Sequence, residues 1–238
     1  MKKIIISSFI FVMAFTGVLY ANDIYITQVG DTLDLDITQD GADNKVGTST
    51  TDATLNGDGM TFSITQTGSY NTIAAVIKGS TYTGTWAFTG SSNIVDMDCS
   101  SAAAGSCDTV TLNITNTGDS NSYEFDIGEV GDADNSVINF TTTGDNSIIN
   151  TTIDGQSAAL TVVMNNSASL ATTSAASNEG NAITTTQTGN GDSVGHTIAL
   201  DVTGGGGTID ITQSGVNDNI VDLTLDGDSF DVDIIQQD

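Results

Sequence analysis

The feature that most constrains this chain is a unit that returns about every 22 to 28 residues along its length. It is clearest from Met60 to Ile77, MTFSITQTGSYNTIAAVI. Side chains alternate along a strand, so Met60, Phe62, Ile64 and Gln66 share one face while Thr61, Ser63 and Thr65 take the other. Gly68 stands where the chain must turn, and glycine tolerates positive φ there. Asn71 opens a second run, in which Ile73, Ala75 and Ile77 alternate with Thr72, Ala74 and Val76. Parity places the amides of Gln66 and Asn71 on the apolar side. A buried amide needs partners, and a second copy of the unit stacked above supplies them.

The copies are present. The glycine two residues after the amide recurs as Gly41, Gly68, Gly90, Gly118, Gly144, Gly189 and Gly215. The wide interval between Gly144 and Gly189 divides near Asn165-Asn166-Ser167, with Asn165 and Ser167 standing for amide and glycine. The amide positions form one expected ladder: Gln39, Asn44, Gln66, Asn71, Asn93, Asn116, Asn121, Gln187, Gln213 and Gln236. Phe88 replaces the amide in its own copy. A hairpin of this kind cannot bury its inner face alone, whereas stacked hairpins share a core. The chain is therefore expected to be all-β, a β-solenoid of about 8–9 rungs of strand-turn-strand repeats. Ile24, Ile26 and Gln28 read as a half-copy ending at Gly30. Polar insertion loops are expected near residues 47–59 and 99–107.

The first residues read differently. Met1-Lys2-Lys3 is a positive n-region, Ile4 to Val18 is a broken apolar run, and Leu19-Tyr20-Ala21 offers a small residue at the cut. A spanning helix needs about 20 apolar residues, so residues 1–21 are read as a secretory signal peptide. An uncleaved anchor is the alternative. Residues 22–238 would then be an exported repeat domain that meets the membrane only through its leader.

Charge sharpens the picture. The chain has 30 Asp+Glu against 4 Lys+Arg and no proline. Such a balance repels nucleic acid and anionic membrane, and absence of proline suits sheet ladders. The acids fall mainly at outward positions, among them Asp34, Asp36, Asp210, Asp222, Asp231 and Asp233, so they read as a solvated face. Cys99 and Cys107 bracket SSAAAGS, and in an oxidising compartment they read as a disulfide stapling the insertion. Two free thiols are the alternative.

Catalytic chemistry finds little footing. His196 is the single histidine; parity puts it inward, as a packed neutral imidazole, and it lies on the strand of Ser193 instead of across a cleft. Glu129 falls either at an inward amide position, where burial would raise its pKa, or at a wet turn edge. No zinc spacing or phosphate loop occurs. No cofactor is expected, beyond weak Ca²⁺ binding at the Asp/Gly turns of Asp58, Asp226 and Asp228, which are read first as turns. Thr-x-Thr pairs (Thr81 and Thr83, Thr141 and Thr143, Thr184 and Thr186) are similar to those of ice-binding solenoids, but as pairs they do not occupy equivalent rung positions.

Gln39-x-Gly41-x-x-Asn44 and Gln66-x-Gly68-x-x-Asn71 resemble the curlin repeat of the curli fibre subunits, and the likeness runs from about Ile24 to Asp238. The resemblance implies two short strands around each Q-x-G-x-x-N turn, stacking into an extracellular amyloid fibre for surface adhesion and biofilm. It also implies a nucleator subunit and an outer-membrane secretion pore as partners. Physically, a solenoid ends in rows of unpaired N–H and C=O groups, and nothing in the sequence reads as a cap. Matching open ends favour a head-to-tail homopolymer. The expected function is a secreted structural subunit and not an enzyme. The alternative is a monomeric solenoid that binds ice or a glycan.

Overall fold

A computed structural model describes residues 23–48, 50, 52–99, 109–127, 135–144, 147–153, 159–165, 168–174, 182–188, 196–203, 207–215 and 219–237. The leader, Gly189, Cys107, Glu129 and Asn166-Ser167 lie outside them. The strands are β1 (Asp23–Ile24), β2 (Thr27–Val29), β3 (Asp34–Asp40), β4 (Lys45–Val46), β5 (Ala53–Asn56), β6 (Met60–Thr67), β7 (Thr72–Lys78), β8 (Tyr82–Thr89), β9 (Ile94–Cys99) and β10 (Val110–Thr117). They continue as β11 (Ser122–Ile127), β12 (Val137–Thr143), β13 (Ser147–Ile153), β14 (Ala159–Asn165), β15 (Ala168–Ser174), β16 (Ala182–Thr188), β17 (His196–Thr203), β18 (Thr208–Ser214), β19 (Asn219–Asp226) and β20 (Asp231–Gln237). The described residues contain no helix.

From β5 on, strands pair with the strand two places on, and the first four with the strand three places on (β1–β4, β2–β5, β3–β6, β4–β7), always parallel, because each hairpin turns once and the next lies on top. One sheet has nine strands in the order β20-β18-β16-β14-β12-β10-β8-β6-β3. The other has eleven and runs β1-β4-β7-β9-β11-β13-β15-β17-β19, with β2 and β5 alongside its first members. The fold is a β-solenoid whose two sheets face each other across one core.

The core follows the alternation. In β6 the residues Met60, Phe62, Ile64 and Gln66 are buried, and the residues between them are not. Stacking repeats the pattern, so Ile64, Trp86, Ile114 and Phe140 form one column through the register. The middle layers hold most of the aromatic mass. Phe62 and Trp86 meet edge to face at 6.0 Å, and Tyr123 and Phe140 at 4.8 Å. Such pairs add about 0.5–1.5 kcal/mol beyond area burial. The carbonyl of Phe62 accepts from Tyr82 Oη at 3.1 Å and Trp86 Nε1 at 3.0 Å. Burial drives the Tyr82 hydroxyl far above its usual pKa.

Two expectations need correction. Residues 47–59 are not all loop: Ala53–Asn56 forms β5, with Ala53 and Leu55 fully buried. β4 and β5 pair with the two halves of β7. The apolar alternation of Ala53 and Leu55 within a polar stretch was the signal. Asn165 is not in the amide column either. It pairs with Thr143 and Thr188, and its neighbour Met164 takes the inward place between Thr142 and Gln187. The half-copy Ile24–Gly30 supplies β1 and β2, in the eleven-stranded sheet.

Candidate functional site

Three features of the stack bear on function: the corner, the ladder inside it, and the two ends. The corner explains the spacing of Q-x-G-x-x-N. Gly68 has φ +123° and, two residues on, Tyr70 has φ +63°. A Cβ on Gly68 would overlap the carbonyl oxygen of Gly41 in the layer below, so the glycine is required by φ and by close stacking. Gly41, Gly90, Gly118 and Gly144 share the positive φ. Gly215 donates its N–H to Gln237 at 3.1 Å.

Asparagine then closes the corner. Asn71 Nδ2 donates to Gly68 O at 2.8 Å, and Asn44, Asn93 and Asn121 do the same to Gly41, Gly90 and Gly118. The ladder they form differs from the expected amide-on-amide stack. The backbone N–H of Asn44 donates to Asn71 Oδ1 at 3.1 Å, that of Asn71 to Asn93 Oδ1 at 3.1 Å, and that of Asn93 to Asn121 Oδ1 at 2.8 Å. Each side chain thus ties its own turn and the layer beneath. The backbone of His196 occupies this column, paired with Asn219; its side chain lies outside the description.

The glutamine column is amide on amide. Gln66 Nε2 donates to Gln39 Oε1 at 2.7 Å, Gln213 to Gln187 at 2.7 Å, and Gln236 to Gln213 at 2.8 Å. Gln187, Gln213, Gln66 and Gln39 are buried. The column is interrupted where the register inserts Phe88 between Gln66 and Asn116. There Gln66 Oε1 and Asn116 Oδ1 are buried without partners. Asn116 Nδ2 turns to Thr142 Oγ1 at 2.9 Å. Thr142 and Met164 are members of the column that carry no amide.

The ends carry complementary edges. Asp231 donates its N–H to Gly207 O at 2.9 Å, and Gly215 donates to Gln237 O. Alternate residues of a parallel strand face opposite neighbours, so Val232, Ile234 and Gln236 turn their N–H and C=O outward from β20. At the other end Thr61 donates to Leu33 O at 2.7 Å, which leaves Asp34, Asp36 and Thr38 facing outward from β3. These are the two sets that bond in every internal layer. The strands also match in sequence, DVDIIQQ against DLDITQD. Among the described residues, β1 and β2 have no strand opposite them in the nine-stranded sheet, and β20 has none opposite it in the other. Accordingly Ile234 is 45 % exposed, and Leu33, Leu35, Val221, Leu223 and Val232 are only partly buried.

The outer faces differ in charge. On the eleven-stranded sheet Asp96 lies beside Glu124 and Asp98 beside Asp126. Burial, then Asp52, Asp126 and Asp98, raise the Asp96 pKa; burial, then Asp126 and Asp96, raise that of Glu124. On the nine-stranded sheet the outward residues are mostly hydroxyls. Register stacks Thr38, Thr65, Ala87, Thr115, Thr141, Val163, Thr186, Thr212 and Ile235 in one column. Beside it stand Asp40, Thr67, Thr89, Thr117, Thr143, Asn165, Thr188, Ser214 and Gln237. The three pairs singled out from sequence straddle different columns, and the array became visible only once register was known.

No group of three metal-binding side chains occurs among the described residues. Asp58 Oδ1 accepts from the Ser80 N–H at 2.7 Å, and this bond holds its carboxyl below the usual range. Asp226 and Asp228 are exposed. Cys99 is buried and disulfide-bonded. No helix among the described residues is long and apolar enough to cross a membrane. Compared with protein-family models, curated proteins and solved structures, the chain matches none.

Proposed function

We propose that this chain is a secreted, non-catalytic structural subunit that adds head to tail into an extracellular curli-like fibre for surface adhesion and biofilm matrix. The observation that carries the reading is the split layer at the ends. β20 brings half a layer in one sheet, and β1 with β2 brings half a layer in the other. Laying β3 of a second copy on β20 pairs Val232 with Leu35, Ile234 with Ile37 and Gln236 with Gln39. The same movement lays β1 and β2 of that copy on β19, opposite β20. One addition completes a layer, buries the partly exposed apolar ends and satisfies both rows of N–H and C=O. Ladder polarity agrees: each later glutamine donates to the earlier one, so Gln39 would donate to Gln236. Export rests on the leader-like residues 1–21, and a nucleator and a secretion pore on the curlin resemblance alone.

The test is growth. Purified protein should elongate seeds of itself into cross-β fibres seen by electron microscopy. Ile234→Pro removes an outward N–H without touching the ladder to β18, and should stop elongation while the protein stays folded by circular dichroism. A wild-type chain that stays monomeric, or equal growth of the proline variant, contradicts the reading.

A further inference from the structure

We infer that the outer face of the nine-stranded sheet is an ice-binding surface, a property independent of whether copies join. The face is a two-dimensional grid of hydroxyls. Thr65 with Thr67, Thr115 with Thr117, and Thr141 with Thr143 stand side by side on their strands and in shared columns through the register. Hydrogen-bonded stacking sets the spacing along the column at about 4.8 Å, and two residues along a strand set the other at about 6.7 Å. Oxygen rows of hexagonal ice repeat at distances close to both along its two principal axes.

Three further properties point to a neutral lattice as the ligand. The chain carries a formal net charge of −26, yet these two columns are uncharged apart from Asp40 at one end, and the acids of the central layers lie on the opposite sheet. A charged side chain orders water around itself and would break registry with a crystal; a neutral face is complementary to a neutral lattice. Threonine is stiff at χ1 and its strand is fixed above and below, so little freedom is lost when the grid meets ordered water. The described positions of the two columns hold no aromatic side chain, which a sugar ring would need for stacking.

The experiment is ice recrystallisation inhibition with the full chain, repeated with Ile234→Pro so that polymerisation does not enter. The double variant Thr115→Lys/Thr141→Lys places two charges at adjacent grid points. Thr152→Lys places one on the opposite sheet as a control. Wild type should inhibit recrystallisation, the double variant should lose the effect, and Thr152→Lys should keep it, with all three folded by circular dichroism. No inhibition by wild type, or equal loss in the control, overturns the inference. So does sedimentation with crystalline cellulose that is abolished by the double variant while ice is unaffected, because the face would then bind a neutral polymer.

Discussion

Gly68 sits at φ +123° with the carbonyl of Gly41 where its Cβ would be. Gly68→Ala therefore faces a left-handed backbone and a collision with a main-chain atom that cannot swing away. We expect a loss of about 3 kcal/mol, read from the denaturant midpoint. Gly59 is the contrast: its φ is +66° and a Cβ would meet only the Thr32 methyl at 3.9 Å. Gly59→Asn should cost less than about 1 kcal/mol. Glutamines differ in the same way. Gln213 donates to Gln187 and to Ile220 O and accepts from Gln236. Gln66 donates to Gln39, but its oxygen has no partner beside Phe88. Gln213→Leu should thus cost at least about 1 kcal/mol more than Gln66→Leu, since it orphans more buried groups. Gln39, Gln66 and Gln213 were legible because an amide at an apolar parity is anomalous. Thr142 and Met164 were not, since neither is out of place in a core.

At the scale of strands, period two and the turn glycines announced the parallel stack, and β6, β10 and β18 fall where the alternation puts them. β5 was hidden because its apolar residues, Ala53 and Leu55, are few and follow a polar stretch. Register was hidden more deeply: a one-residue offset moved Asn165 off the amide column, and no pattern within one strand reveals which residues of the next it meets. The carboxylates of β9 and β11 show what register brings. Asp96 stands beside Glu124, and both have raised pKa values. A raised carboxylate pKa means the folded state holds its proton more tightly than the unfolded one. The folded state is therefore penalised above the raised pKa, and the penalty disappears as pH falls to the unfolded value. Asp96→Asn should raise the thermal midpoint at neutral pH, by a difference of about 0.2–1 kcal/mol for an in-register like-charge pair. The gain should vanish below the ordinary carboxylate range. A gain that is the same at every pH would contradict the charge explanation.

For the whole molecule, the sequence shows repetition and nothing that reads as a cap, but the complementarity of the two ends depends on which N–H groups each edge strand leaves free. That is a property of sheet geometry and cannot be read from composition. It also places Asp231 against Asp34 and Asp233 against Asp36 when β3 docks on β20, so like charges stack at the joint and elongation should quicken with added salt. The account stands on the identity of that joint. Its most direct test is a helical reconstruction by electron microscopy of the polymer. The account predicts one continuous pair of sheets with β3 of one copy on β20 of the last, Gln39 directly over Gln236 and a strand spacing of about 4.8 Å maintained across the junction. Fibres in which β20 meets β20, or in which copies touch only through their outer faces, would contradict it.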